Sequence, residues 1–205
     1  MTEQLLAKAT ALSVPRRSFL FGAAAVAAAA TTALPSDEAM AADFLRRTEM
    51  ASATRGARTL SFRNTHTLEE LTVTYWRNGD YEQAALDEIN YILRDFRTGQ
   101  VHPISKGLLN MLTLIKDRMN TREPVHIISG YRSPKSNGML RANSDGGVAR
   151  RSFHLKGMAI DIRVPGVSTY HIARMAREMA GGGVGYYSSD DFTHVDAGPK
   201  RSWVG

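Results

Sequence analysis

The chain has no cysteine among its 205 residues, which excludes disulfides and thiolate metal sites. Any metal it binds must be held by His, Asp or Glu. It also lacks an apolar run long enough to cross a bilayer. The longest, Phe21 to Ala33, is about 13 residues, against the roughly 20 that a spanning helix requires. Acidic residues are in deficit, 20 against 26 Lys and Arg, for a net charge of +6. The basic side chains are scattered, so the excess points only broadly to an anionic partner: cell-wall polymer, membrane surface or nucleic acid. There is no internal repeat. The length fits one ordinary domain, and 43% hydrophobic content is enough for a core.

The N-terminal segment reads as an address. Pro15-Arg16-Arg17-Ser18-Phe19-Leu20 precedes the apolar run, and Ala39-Met40-Ala41 fits an A-x-A cleavage site. An arginine pair before a modest apolar stretch is the pattern of a twin-arginine export signal. The expected division is a signal over residues 1–41, a linker over 42–57 and a domain over 58–205. Export places the domain in the periplasm and sets nucleic acid aside. Membrane contact would come only through an uncleaved signal. Residues 1–41 carry equal numbers of basic and acidic side chains, so the charge is the same without them.

Arg58–Phe62 and Leu71–Trp76 alternate apolar with polar and are expected as paired strands. Asn78-Gly79-Asp80 breaks the pattern. Helical spacing follows over Tyr81–Arg97 and over Ser105–Met119, with Ser105 as N-cap. Val125–Ile128 reads as a central strand ending in the loop Ser129–Pro134, followed by a short helix over Lys135–Ala142 and a loop over Asn143–Arg151. Met158–Val164 reads as a strand, Ser168–Met179 as an amphipathic helix, and Gly181–Tyr187 and Phe192–Asp196 as a turn and two strands. The expected fold is α+β, with the first helices packed on an antiparallel sheet.

Within this frame one pattern carries chemistry. Ser152-x-His154-x-x-Gly157-x-Ala159-x-Asp161 is answered by His194-x-Asp196. Two imidazoles and a carboxylate form a three-ligand set for a divalent metal, the number typical of catalytic zinc. His154 is expected on a loop, and Asp161, His194 and Asp196 on strands. Small residues at Gly157 and Ala159 would leave room for a metal or a close backbone. His66, His102, His126 and His171 read as ordinary histidines, His126 as buried in its strand and His66 as exposed in a turn. Tyr131 reads as core.

These motifs resemble the zinc D-Ala-D-Ala peptidases and murein endopeptidases that share a fold with the hedgehog signalling domain, most closely the murein endopeptidase K group. The likeness runs from Leu60 to Trp203. It takes in His66-Thr67, Leu93-Arg94-Asp95-Phe96-Arg97, Ile128–Ser133, the two metal motifs, Gly182–Tyr187 and Gly198-Pro199. It implies a Zn²⁺ cofactor on His154, Asp161 and His194, and peptidoglycan stem peptides as the partner. A carboxylate would act as general base, Asp196 by the H-x-D pattern or Asp191 three residues before His194. Arg132 would bind substrate, and Ser152 either binds substrate or fixes its loop. The implied activity is cleavage of peptidoglycan cross-links. A DD- or LD-carboxypeptidase on the same site, or a non-catalytic peptidoglycan-binding module, are the alternatives.

Overall fold

Every second residue of β1 (Ala57–Asn64) is buried: Arg58, Leu60, Phe62 and Asn64. That period of two marks a strand with one face in the core. β1 pairs antiparallel with β2 (Glu70–Arg77), as the alternation leads one to expect. In the computed structural model, which describes residues 36–51, 56–144, 148–179 and 182–205, the break at Asn78-Gly79 is a two-residue hairpin turn. Both residues have positive φ, 51° and 111°, the conformation an Asn-Gly pair adopts readily. The turn leads into β3 (Asp80–Tyr81), so Tyr81 pairs with Trp76 and does not begin a helix.

The helix that follows, α2 (Gln83–Ile92), is shorter than the expected 81–97. Residues 93–99 turn away because the Asp95 side chain takes up the Arg97 N–H and Gly99 adopts φ 73°. α3 (Lys106–Met119) starts as expected: Ser105 accepts the Leu108 N–H, and Asn120 closes the other end in the left-handed conformation. β4 (Val125–Ser129) leads into α4 (Pro134–Ala142), where the Ser133 hydroxyl caps the first turn and Pro134 sits at its start. The chain continues through β5 (Ala159–Arg163), α5 (Thr169–Met179), β6 (Gly183–Tyr187), β7 (Phe192–Asp196) and β8 (Arg201–Val204).

Among the described residues the strands form one eight-stranded sheet in the order β3-β2-β1-β4-β5-β7-β6-β8. It is mixed, which corrects the antiparallel expectation: β1 runs parallel to β4, and β6 parallel to β8. The β1–β4 pair is parallel because the chain returns through β2, β3, α2 and α3 before laying β4 down. The α+β class stands.

The stretch 42–57, expected as a linker, is largely helical. α1 (Asp37–Ala51) occupies most of it and includes the expected cleavage residues Ala39–Ala41. Phe44 is fully buried, against a face of α3 that Gly107 leaves open. Thr48 is buried, and Glu49 accepts a hydrogen bond from the Tyr81 hydroxyl at 2.9 Å. One buried aromatic among alanines, methionines and charged side chains leaves little periodicity to read. Residues 1–35, with the arginine pair and the apolar run, lie outside the described residues. Among those described, no helix is long and apolar enough to cross a membrane.

Candidate active site

The sheet register assembles the site. Asp161 on β5 stands directly opposite His194 on β7, and Ser129 at the end of β4 stands beside Asp161. His154 comes from a 3-10 turn, Phe153–Lys156, between α4 and β5. The Ser152 hydroxyl accepts the His154 N–H at 3.4 Å and so fixes that turn. Gly157 ends it at φ 62°, where a Cβ would lie 2.1 Å from the Pro103 carbonyl oxygen. Glycine is required there for backbone contact.

Three side-chain atoms face one another. His154 Nε2 lies 3.2 Å from His194 Nδ1 and 3.2 Å from Asp161 Oδ1, and the last two are 2.8 Å apart. Each of the three groups is held from behind. The other nitrogen of His154, Nδ1, donates to the Gly130 carbonyl at 2.7 Å. His194 Nε2 donates to Asp196 Oδ2 at 2.9 Å. Asp161 Oδ2 accepts from Arg132 Nη2 at 2.9 Å. The outward bonds consume the ring N–H groups, so the three inward atoms present lone pairs to one another. Three acceptors at this spacing need a proton or a cation between them.

The electrostatics follow from that geometry. Burial pushes His154 down. Burial alone would raise Asp161, but the two imidazoles hold it below the usual carboxylate range. Burial would likewise lower His194, yet its hydrogen bonds to Asp161 and Asp196 push it up to about 9. Without a cation, His194 keeps the proton that the three groups share. The donor set fits a divalent metal: atoms about 2.0–2.1 Å from a tetrahedral centre lie roughly 3.3 Å from one another, close to the spacing seen.

The remaining expected residues divide by position. Arg132 reaches the site, but as a partner of Asp161 and, through Nε, of Ser129 at 3.2 Å. Asp196 does not face the inward cluster. It is fully buried behind His194, where it accepts N–H groups from Gly183 and Gly198 and both terminal nitrogens of Arg201. Burial would raise it; His194 and Arg201 hold it low. Such a saturated carboxylate is well placed to orient His194 from behind. Asp191 also lies elsewhere. It bonds Thr169 and Arg163 and lines a separate depression on the surface.

The cluster opens into a cavity of about 490 Å³. Its wall includes His66, which reads from the sequence as an ordinary histidine, together with Arg97, Asp190, Arg201 and Trp203. His66 is exposed as expected, but its Nε2 donates to the Ile128 carbonyl at 2.9 Å and its ring stacks on Phe96 at 3.8 Å. His126 is half-buried, not enclosed in the core. In the sequence the signals for this wall are the His66-Thr67 and Leu93–Arg97 motifs.

The chain is similar to known proteins over most of its length. A family profile described as peptidoglycan L,D-endopeptidase MepK matches residues 52–203. The peptidoglycan L,D-endopeptidase MepK of Escherichia coli K12 is 40% identical over 146 residues, covering 71% of this chain and 80% of that protein. A probable peptidoglycan L,D-endopeptidase MepK of Haemophilus influenzae is 40% identical over 149 residues, covering 72% and 80%.

Proposed function

Because the chain belongs to the peptidoglycan L,D-endopeptidase MepK family, we propose that it is a zinc-dependent endopeptidase hydrolysing peptide cross-links of peptidoglycan. The observation that carries the reading is the cluster of three inward lone pairs on His154, Asp161 and His194. These residues would hold the ion. Bound there, zinc supplies Lewis acidity that polarises the scissile carbonyl and acidifies water. The relatives' names point to an L,D bond as the one cut.

The chain's own residues supply the rest. Gly130 and Asp196 fix the two imidazoles in the tautomers that a metal requires. Arg132 holds the second oxygen of Asp161 and lines the cavity, where a planar guanidinium suits a substrate carbonyl or carboxylate. For proton transfer we assign His66. Its Nε2–H is committed to Ile128, which leaves Nδ1 as an acceptor on an oriented ring, and imidazole is the side chain most used for that role.

The periplasm is where the substrate lies, and we propose residues 1–41 as the twin-arginine signal that takes the protein there. Cleavage after Ala41 leaves Phe44 in place. Replacing Arg16 and Arg17 with Lys should hold the protein in the cytoplasm, and unchanged export of that variant would refute the route.

A digest of purified muropeptides tests the activity. Cross-linked dimers should fall to monomers, and a chelator should stop the reaction. Loss of only a terminal D-alanine would show a carboxypeptidase. Binding without cleavage by metal-loaded protein would show a binding module.

A further inference from the structure

Strand β8 is separated from β7 by β6, yet two of its side chains reach β7 through gaps that β6 leaves. Gly183 of β6 pairs with Asp196 on one side and Arg201 on the other, and Gly185 pairs with His194 and Trp203. A Cβ at Gly183 would overlap the Asp196 carboxylate and the Arg201 guanidinium, and one at Gly185 would overlap the Trp203 indole. Glycine inside a strand weakens it, and marks a place where another group must approach closely. Two glycines in alternate positions share one face, and together they clear a path from β8 to the groups behind the cluster.

Arg201 uses that path. Its Nη1 donates to Asp196 Oδ1 at 3.1 Å and its Nη2 to Oδ2 at 2.6 Å, a fork that fixes the plane of the carboxylate as well as its position. Oδ2 is also the atom that accepts from His194 Nε2 at 2.9 Å. Asp196 is fully buried, and among the described residues its ion-pair partners are His194 and Arg201. A buried carboxylate is costly without a cation, so the guanidinium keeps a charged acceptor behind the imidazole even when that ring is neutral. The guanidinium lies over the rings of Phe153 and Trp203, 5.1 Å from each centroid, and Nη1 also donates to the Pro199 carbonyl at 3.1 Å. Phe153 belongs to the 3-10 turn that carries His154, and the Trp203 ring lies 5.2 Å from the His194 ring. One guanidinium thus joins the supports of both imidazoles.

We propose that Arg201 is a positioning residue for the metal centre: it acts through Asp196 to fix the direction and tautomer of the His194 ring, and so sets how tightly the site holds its ion. The inference rests on the zinc reading above and goes beyond it by giving the last strand a part in metal binding. A residue that only pinned β8 to the sheet would change the stability of the fold and leave the affinity of the folded site alone.

The test is zinc titration of the metal-free chain, with thermal melts alongside to identify the folded variants. Arg201→Ala should weaken zinc binding about tenfold, the lower end of the range for losing a group that orients a ligand. Arg201→Lys should fall between, because a point charge cannot hold both carboxylate oxygens. The double variant Asp196→Asn with Arg201→Ala should bind zinc as Asp196→Asn alone does, since the two residues act in series. In the zinc-loaded protein, nitrogen NMR should show the His194 Nε2–H exchanging with solvent faster in Arg201→Ala than in the wild type. A folded Arg201→Ala protein with wild-type zinc affinity would overturn the proposal, and so would losses that add in the double variant. If Arg201→Ala does not fold, Arg201→Lys decides, and wild-type affinity with wild-type His194 N–H exchange would overturn the proposal. A wild-type chain that takes up no zinc would overturn the metal reading itself and the proposal with it, a result seen before any variant is made.

Discussion

Asp196 accepts the Nε2 proton of His194 at 2.9 Å, and so turns the Nδ1 lone pair of that ring towards Asp161. The carboxylate two residues along the strand thereby sets the tautomer of an imidazole that we propose as a metal ligand. Asp196→Asn should lower metal affinity about 10- to 100-fold, the usual cost of losing a group that orients a ligand. Asp191→Asn should leave both affinity and rate unchanged. Metal titration of the two variants checks this. An Asp196→Asn protein with full metal affinity and a reduced kcat alone would restore Asp196 as the base.

His66 gives the complementary result. His66→Ala should keep the metal and change KM little, while kcat falls about 10²- to 10⁴-fold, the range of general acid–base loss. Metal content and steady-state rates on one preparation separate the two residues. A His66→Ala enzyme with wild-type kcat would remove it from the reaction.

Metal uptake should depend on pH with a definite sign. His194 is pushed up to about 9 in the metal-free protein, so below that pH a cation must displace its proton. Affinity should rise about tenfold per pH unit towards pH 9 and then level off. In the metal-free protein the same proton contributes stability that is fully present below the ordinary histidine value and is lost as pH rises through about 9. Competition titrations at several pH values, with thermal melts in the presence of chelator, measure both trends.

Asp95 predicts the opposite limb. Its folded value of about 2 lies below the ordinary 3.8, so its contribution is present above 3.8 and lost as pH falls towards 2. A shift of that size corresponds to about 2 kcal/mol. Asp95→Asn should destabilise the protein by about that amount at pH 7 and flatten the acid side of the stability curve. Denaturant midpoints across pH 2–7 test it.

Phe44 decides whether α1 belongs to the domain. Phe44→Ala should cost about 3–5 kcal/mol, as for other large-to-small changes in a packed core. A variant with unchanged thermal stability would return residues 42–51 to the role of linker.

How much was legible follows from which interactions are local. Period two along Arg58, Leu60 and Phe62 marks β1, and the strand runs on to Asn64, so a buried arginine and asparagine share the face of the apolar pair. The Ser105 cap and the grouping of His154, Asp161 and His194 could be read because each rests on residue types at a fixed spacing. The parallel pairing of β1 with β4 depends on where the chain returns, which no local pattern carries. The glycines around Val184 read as a turn into a strand. Their use is spatial: a Cβ at Gly183 would meet Asp196 and Arg201, and one at Gly185 would meet the Trp203 ring. Asp196 is a related case. Strand alternation puts it on the same face as His194, but only the third dimension shows the imidazole standing in front of it.

The register that sets Asp161 opposite His194 also makes the ion a reader of strand alignment. Slipping β7 by one residue against β5 would present Thr193 or Val195 to Asp161 in place of the imidazole. Neither side chain would complete the ligand set proposed here, so misaligned chains would bind an ion poorly while correctly paired ones would gain stability with the logarithm of its concentration. Occupancy of the centre therefore serves as a quality mark on the folded molecule. A chain that has captured its metal has, by the same event, certified the pairing of two strands that lie more than thirty residues apart in sequence.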